Sequence, residues 1–95
     1  MKKELIEVLG TTIPFYSYKE DDLTFFEYDA TACEAPEPMV NTIRALSLLK
    51  TKNDRLVGRF FHEPFPLYER IPIVFTHKAT ELENGDYKVV FQKQD

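Results

Sequence analysis

The run Leu23-Thr24-Phe25-Phe26-Glu27-Tyr28-Asp29-Ala30-Thr31-Ala32-Cys33-Glu34-Ala35-Pro36-Glu37-Pro38-Met39-Val40 leads from a β-like segment directly into a proline-marked helix start. Residues 23–28 are rich in strand formers. Pro36 and Pro38 suit a first helical turn, whose N–H groups have no intrahelical partners. From there Met39, Val40, Ile43, Leu46 and Leu49 recur at i, i+3, i+4 spacing, predicting a helix laid on a sheet. Thr51-Lys52-Asn53-Asp54 reads as its exit loop and residues 55–61 as the next strand. A helix between two strands predicts a parallel pair joined by a right-handed crossover. The loops after Tyr28 and after Phe61 therefore share one end of the sheet, and Cys33 and His62 share a rim.

Outward from this unit the chain is punctuated clearly. Toward the C-terminus, His62-Glu63-Pro64-Phe65-Pro66-Leu67-Tyr68-Glu69-Arg70 reads as a proline-rich loop with one or two helical turns from Pro66, and a strand opens at residues 73–77. Asn84-Gly85 predicts a two-residue hairpin turn, which sets Glu81 opposite Lys88. The apolar set then changes parity between Ala79 and Leu82, so a bulge is expected near Thr80. Tyr87, Val89 and Phe91 form the inward face of the last strand. Toward the N-terminus, residues 2–9 fit a short amphipathic helix ended by Gly10. Residues 13–18 fit an edge strand limited by Pro14. The expected architecture is an α/β two-layer sandwich of order βαβαββ, with a mixed four-stranded sheet and two helices on one face. Residues 1–22 are an N-terminal helix and strand extension to a domain spanning 23–95.

Composition narrows the function classes. Twelve Lys and Arg against 16 Asp and Glu give a net charge of −4, with 43% hydrophobic residues, eight Phe and five Tyr. That is core material enough for one domain of 95 residues. The acidic balance disfavours the broad basic face that phosphate-backbone binding needs. A lone cysteine forms no intrachain disulfide and fits a reducing, cytoplasmic compartment. No run reaches the ~20 apolar residues of a membrane span, and the N-terminus lacks a signal-peptide pattern. With three glycines, nucleotide-binding loops are excluded.

The strand ending at Tyr28-Asp29, followed by Pro36-Glu37-Pro38, resembles the TusA/SirA-like family of small sulfur carriers. Their hallmark is Cys-Pro-x-Pro at the first core helix. The resemblance covers roughly residues 23–92 and implies the βαβαββ fold. Family carriers hold a persulfide on the motif cysteine, and that position is Ala35 here. The chain is more similar to a branch of the superfamily that lacks the cysteine, with which it shares a His- and Pro-punctuated segment at residues 62–68.

Candidate site residues follow. Cys33 is either a displaced sulfur-carrying thiol or a plain loop cysteine; the helix dipole acts within the first turn, and Cys33 precedes it by three residues. His62 is either a ligand contact or a loop-start side chain satisfying backbone groups. Glu34, Glu37 and Glu63 lie near enough in sequence to join Cys33 and His62 on a metal, but no spacing demands it, so no metal or cofactor is assigned. Phe65, Leu67 and Tyr68 either present an apolar surface or anchor a short helix. Arg44, Lys50, Lys52, Arg55 and Arg59 read as a solvated surface, and His77 as structural. The leading expectation is a non-catalytic binding or adaptor module using Cys33, Glu37, His62 and Tyr68 to engage a protein or small ligand, as a monomer or weak dimer. The alternative is sulfur transfer through Cys33; RNA binding stands third, against the charge.

Overall fold

The strands predicted on either side of residues 23–40 hydrogen-bond to each other in parallel, from Thr24 opposite Asp54 to Asp29 opposite Arg59. The computed structural model describes residues 2–94, so the outermost residues of the expected N-terminal extension and C-terminal domain lie outside the described part. The strands are β1 (Glu4–Ile6), β2 (Phe15–Glu20), β3 (Leu23–Asp29), β4 (Asp54–Phe60), β5 (Phe75–Glu81) and β6 (Tyr87–Lys93). The helices are α1 (Glu37–Ala45), continued by a 3₁₀ turn at Leu46–Leu48, and α2 (Phe65–Tyr68). All six strands form one mixed sheet in the order β1-β2-β3-β4-β6-β5.

The expected helix over residues 2–9 is a short strand instead. Leu5, Ile6 and Leu9 suit a helical stripe, but Leu5 and Ile6 pair with Tyr16 and Phe15 of β2, and Leu9 is 92% exposed. β2 joins β3 through a tight turn with Glu20 opposite Leu23 and Asp21 at φ 57°. The segment before Leu23 thus adds two strands to the sheet, making six rather than four. Its Phe15 is 1% exposed and stacks on Tyr28 at 4.8 Å, so it belongs to the common core.

That core lies between the sheet and α1. Phe15, Tyr28, Leu56, Phe60, Val89 and Phe91 are all buried on the helix-facing side, where Ala45, Leu46, Leu49 and Leu67 meet them. Each such large side chain contributes about 1.5–3 kcal/mol by leaving water. α1 is rotated from the predicted stripe: Val40 and Ile43 are 41% and 38% exposed, whereas Asn41 and Thr42 are buried. Polar partners explain the rotation. Thr42 Oγ1 donates to the Pro38 carbonyl at 2.8 Å, so its hydroxyl accepts from Tyr28 at 2.5 Å. Asn41 accepts from the Thr12 backbone N–H at 2.9 Å and donates to Thr12 Oγ1 at 3.1 Å, tying the N-terminal segment to the helix. Gly58 lies under the Tyr28 ring; a Cβ there would meet it at 2.5 Å, which requires glycine at that point of β4.

The β5–β6 hairpin also departs from expectation. Glu81 pairs with Tyr87 and Thr80 with Lys88, in one unbroken ladder without a bulge at Thr80. The extra residue sits in the turn: Gly85 N–H donates to Leu82 O, Gly85 has φ +92°, and Leu82 N–H returns to Asp86 O. This is a type I turn closed by a left-handed residue, the three-residue alternative to the two-residue turn.

Candidate functional site

β3 and β4 run parallel and end side by side at Asp29 and Phe60. Beyond the carboxyl ends of such strands, where the chain turns away to its crossovers, open α/β sheets place their ligand crevices. A groove of about 350 Å³ lies there, walled by Cys33, Pro36, Pro38 and Met39 on one side and Phe60, Phe61, His62, Pro64, Pro66 and Leu67 on the other. Both walls are proline-punctuated. The first leaves β3 through a turn in which Asp29 Oδ1 accepts from Thr31 N–H at 2.9 Å and Thr31 Oγ1 at 2.6 Å. Those bonds hold the Asp29 carboxyl below its ordinary pKa. Cys33 N–H then donates to Ala30 O, and a cis Ala35–Pro36 peptide leads into α1.

The second wall is pinned from below. Leu67 is 1% exposed in the core, while Phe61 is 61% exposed at the mouth, edge-on to the His62 ring at 4.5 Å. Phe60, the last residue of β4, is buried in the core, and Phe61, just past the strand end, lies exposed in the groove lining beside it. Tyr68 lies outside the lining. It stacks on His77 of β5 at 3.8 Å and 12°, and its hydroxyl donates to Glu63 at 3.2 Å. Burial, with Glu63 beside it, drives the Tyr68 phenol far above its ordinary pKa.

The structure brings Cys33 and His62 to one groove, with Glu63 beside them, and leaves Glu37, which is exposed, and Tyr68 outside its lining. Glu37 accepts from Thr12 Oγ1 at 3.2 Å. Burial, and then the Glu37 and Asp29 carboxylates, push the Cys33 thiol up, and a hydrogen bond with Asn41 only partly offsets them. A thiol held protonated is a weak nucleophile and a poor metal ligand. Among the described residues no cluster of three or more His, Cys, Asp or Glu is placed to hold a metal ion. The lining residues not singled out from sequence are Ala30, Thr31, Met39, Phe60 and Phe61, of which Met39 was assigned only to the helix stripe; the doubled Phe60-Phe61 was the available signal.

Among the described residues no helix is long and apolar enough to cross a membrane. Compared with protein-family models, with curated proteins and with solved structures, the chain finds no match in any of the three.

Proposed function

We propose that the protein is a non-catalytic binding or adaptor module, working in the reducing cytoplasm and related to the TusA-like proteins whose motif frame its first helix resembles. It takes an apolar group of a partner protein or small ligand into the groove beyond β3 and β4. The observation that carries this reading is the groove itself: its volume falls within the range of small-molecule sites, and its lining is apolar apart from Thr31, Cys33, His62 and Glu63. Prolines in both walls limit the conformational freedom lost on binding, so less of the contact energy goes into ordering the site. Sulfur transfer is the competing reading, and the raised Cys33 thiol weighs against it.

An NMR-monitored titration with a set of small apolar and aromatic fragments tests the proposal. The expected result is saturable shifts at Cys33, Met39, Phe61 and His62, abolished by Met39→Glu and kept in Cys33→Ser. Absence of any fragment shifting these residues overturns the binding reading. Incubation with cysteine and a cysteine desulfurase, followed by intact mass, tests the competitor. An adduct of one sulfur atom that is lost in Cys33→Ser would replace the adaptor reading with a carrier.

A further inference from the structure

The helices cover only one face of the sheet. The other face carries Leu5 of β1, Tyr16 and Tyr18 of β2, Leu23 and Phe25 of β3, Val57 of β4 and Val90 of β6, brought onto one surface by the pairing register. Every fully buried strand residue lies on the helix side, and these seven are half-buried or exposed. An outward face normally alternates to polar residues. Here an apolar band crosses five of the six strands and stops at β5, which presents Thr76, Lys78 and Thr80, and single scattered apolar side chains would not form one.

Charge divides the same face. On the β2–β3 half stand Glu20, Glu27 and Asp29; on the β4–β6–β5 half stand Arg55, Arg59, Lys88 and Lys78, with no carboxylate on the outward face of those strands. Lys3 reaches across to Glu27 at 2.6 Å, and Asp86 from the hairpin loop lies 3.5 Å from Arg59. These two contacts leave the division in place.

We infer that the open face is the interface for a second copy of this chain. A two-fold axis parallel to the strands, passing between β3 and β4, sets β3 against β4 of the partner copy and β2 against β6. Each acidic half then meets a basic half, and Tyr16 meets Val90 within the apolar band. The halves need no atomic register to attract, since the screening length is about 10 Å at moderate salt. Aligned sheets pack in this manner in β-sandwiches. Six strands at about 4.8 Å spacing, most of them seven residues long, give a footprint on the order of 600 Å² per copy. That lies at the lower end of specific interfaces, roughly 1,200 Å² in total, and fits a reversible dimer. A polyanion fits less well. It would meet the carboxylates of the acidic half, and Tyr18 and Phe25 are stacked on each other at 5.0 Å, with the Tyr18 hydroxyl on Glu27, rather than open to bases.

Sedimentation velocity on the intact protein tests this inference independently of the groove. The wild type is expected at twice the mass of the 11.2 kDa chain, and Val90→Lys, at the β6 end of the band, at the single mass with unchanged circular dichroism. Glu20→Lys/Glu27→Lys and Arg59→Glu/Lys88→Glu should each be folded monomers, and their equimolar mixture should recover the dimer. A wild type that stays monomeric at the highest soluble concentration overturns the inference, and steeply salt-dependent binding of a single-stranded oligonucleotide would then give the face to a polyanion. A wild-type dimer that survives both double variants, or double variants that fail to recover on mixing, also overturns it.

Discussion

At the scale of single residues, Cys33 shows how surroundings decide chemistry. The same thiol beside a bare helix N-terminus would be acidified by the dipole and free N–H groups. Here α1 begins at Glu37, after Pro36, and its first turn brings a carboxylate rather than an unopposed positive end. Glu37 and Asp29 both oppose ionisation of a thiol already disfavoured by partial burial. Replacing Glu37 by Gln removes one of the groups raising the thiol, so the Cys33 pKa must fall. Alkylation by iodoacetamide, followed against pH, should then run roughly two- to fivefold faster below the folded pKa, the effect of losing a like charge worth a fraction of a pKa unit. Identical pH–rate curves for the two proteins would show that Glu37 is screened from the thiol. Asn41 is the poorer site for this test, because its substitution also frees the N-terminal segment.

That segment belongs to the scale of elements. β1 pairs only with β2, over three residues, so its register depends on what holds the intervening turn. Asn41, 1% exposed on α1, supplies the hold through Thr12. Asn41→Ala deletes those bonds and leaves the Thr12 N–H without its acceptor, a cost of about 1–3 kcal/mol. The urea midpoint should fall at nearly unchanged m-value, with amide exchange rising first in β1 and least in β4 and β6. Uniform exchange across the sheet would mean that Asn41 does not secure β1 in particular. This dependence is also why β1 could not be read from the residues. The stripe likewise gave a sound helix and placed Met39, Leu46 and Leu49 inward, but it turned Val40 and Ile43 to the wrong side, because α1 is seated by Tyr28–Thr42 and Thr12–Asn41 bonds, and buried polar pairs carry no hydrophobic period. The parallel pairing of β3 and β4 was legible, since strand, proline-marked helix and strand leave few alternatives. The meeting of Cys33 and His62 at one groove followed from that topology alone. The turn at Gly85 was half legible: Asn-Gly marks a hairpin, but two-residue and three-residue loops differ by one residue, and that difference shifts every cross-strand partner.

For the whole molecule, titration of the aromatic residues ties the layers together. Tyr18 lies on the open face, Tyr28 in the core and Tyr68 outside the groove lining, and each is harder to ionise than a free phenol. Burial leads in all three; Glu27 adds to it at Tyr18, which is pushed up to about 12, and Glu63 at Tyr68. The Cys33 thiol is raised for the same leading reason. A folded pKa above the unfolded one means that the unfolded chain releases its proton first. The stability from each group is therefore complete below the unfolded value and is lost as pH climbs toward the folded one. With unfolded values near 9.0 for the thiol and 10.0 for the phenols, the losses begin at pH 9 and steepen above pH 10. Urea midpoints measured against pH should be flat through neutrality and fall across that window. Tyr28→Phe should lower the plateau by about 1 kcal/mol, the worth of its hydrogen bond to Thr42, and make the alkaline fall shallower. The last part of the tyrosinate absorbance should rise together with the loss of circular dichroism, because a phenol as deeply buried as Tyr28 ionises only when the core opens. A midpoint that does not change from pH 9 to pH 12, or tyrosinate appearing in full while the fold persists, would show that the buried phenols do not govern the alkaline limit of this fold.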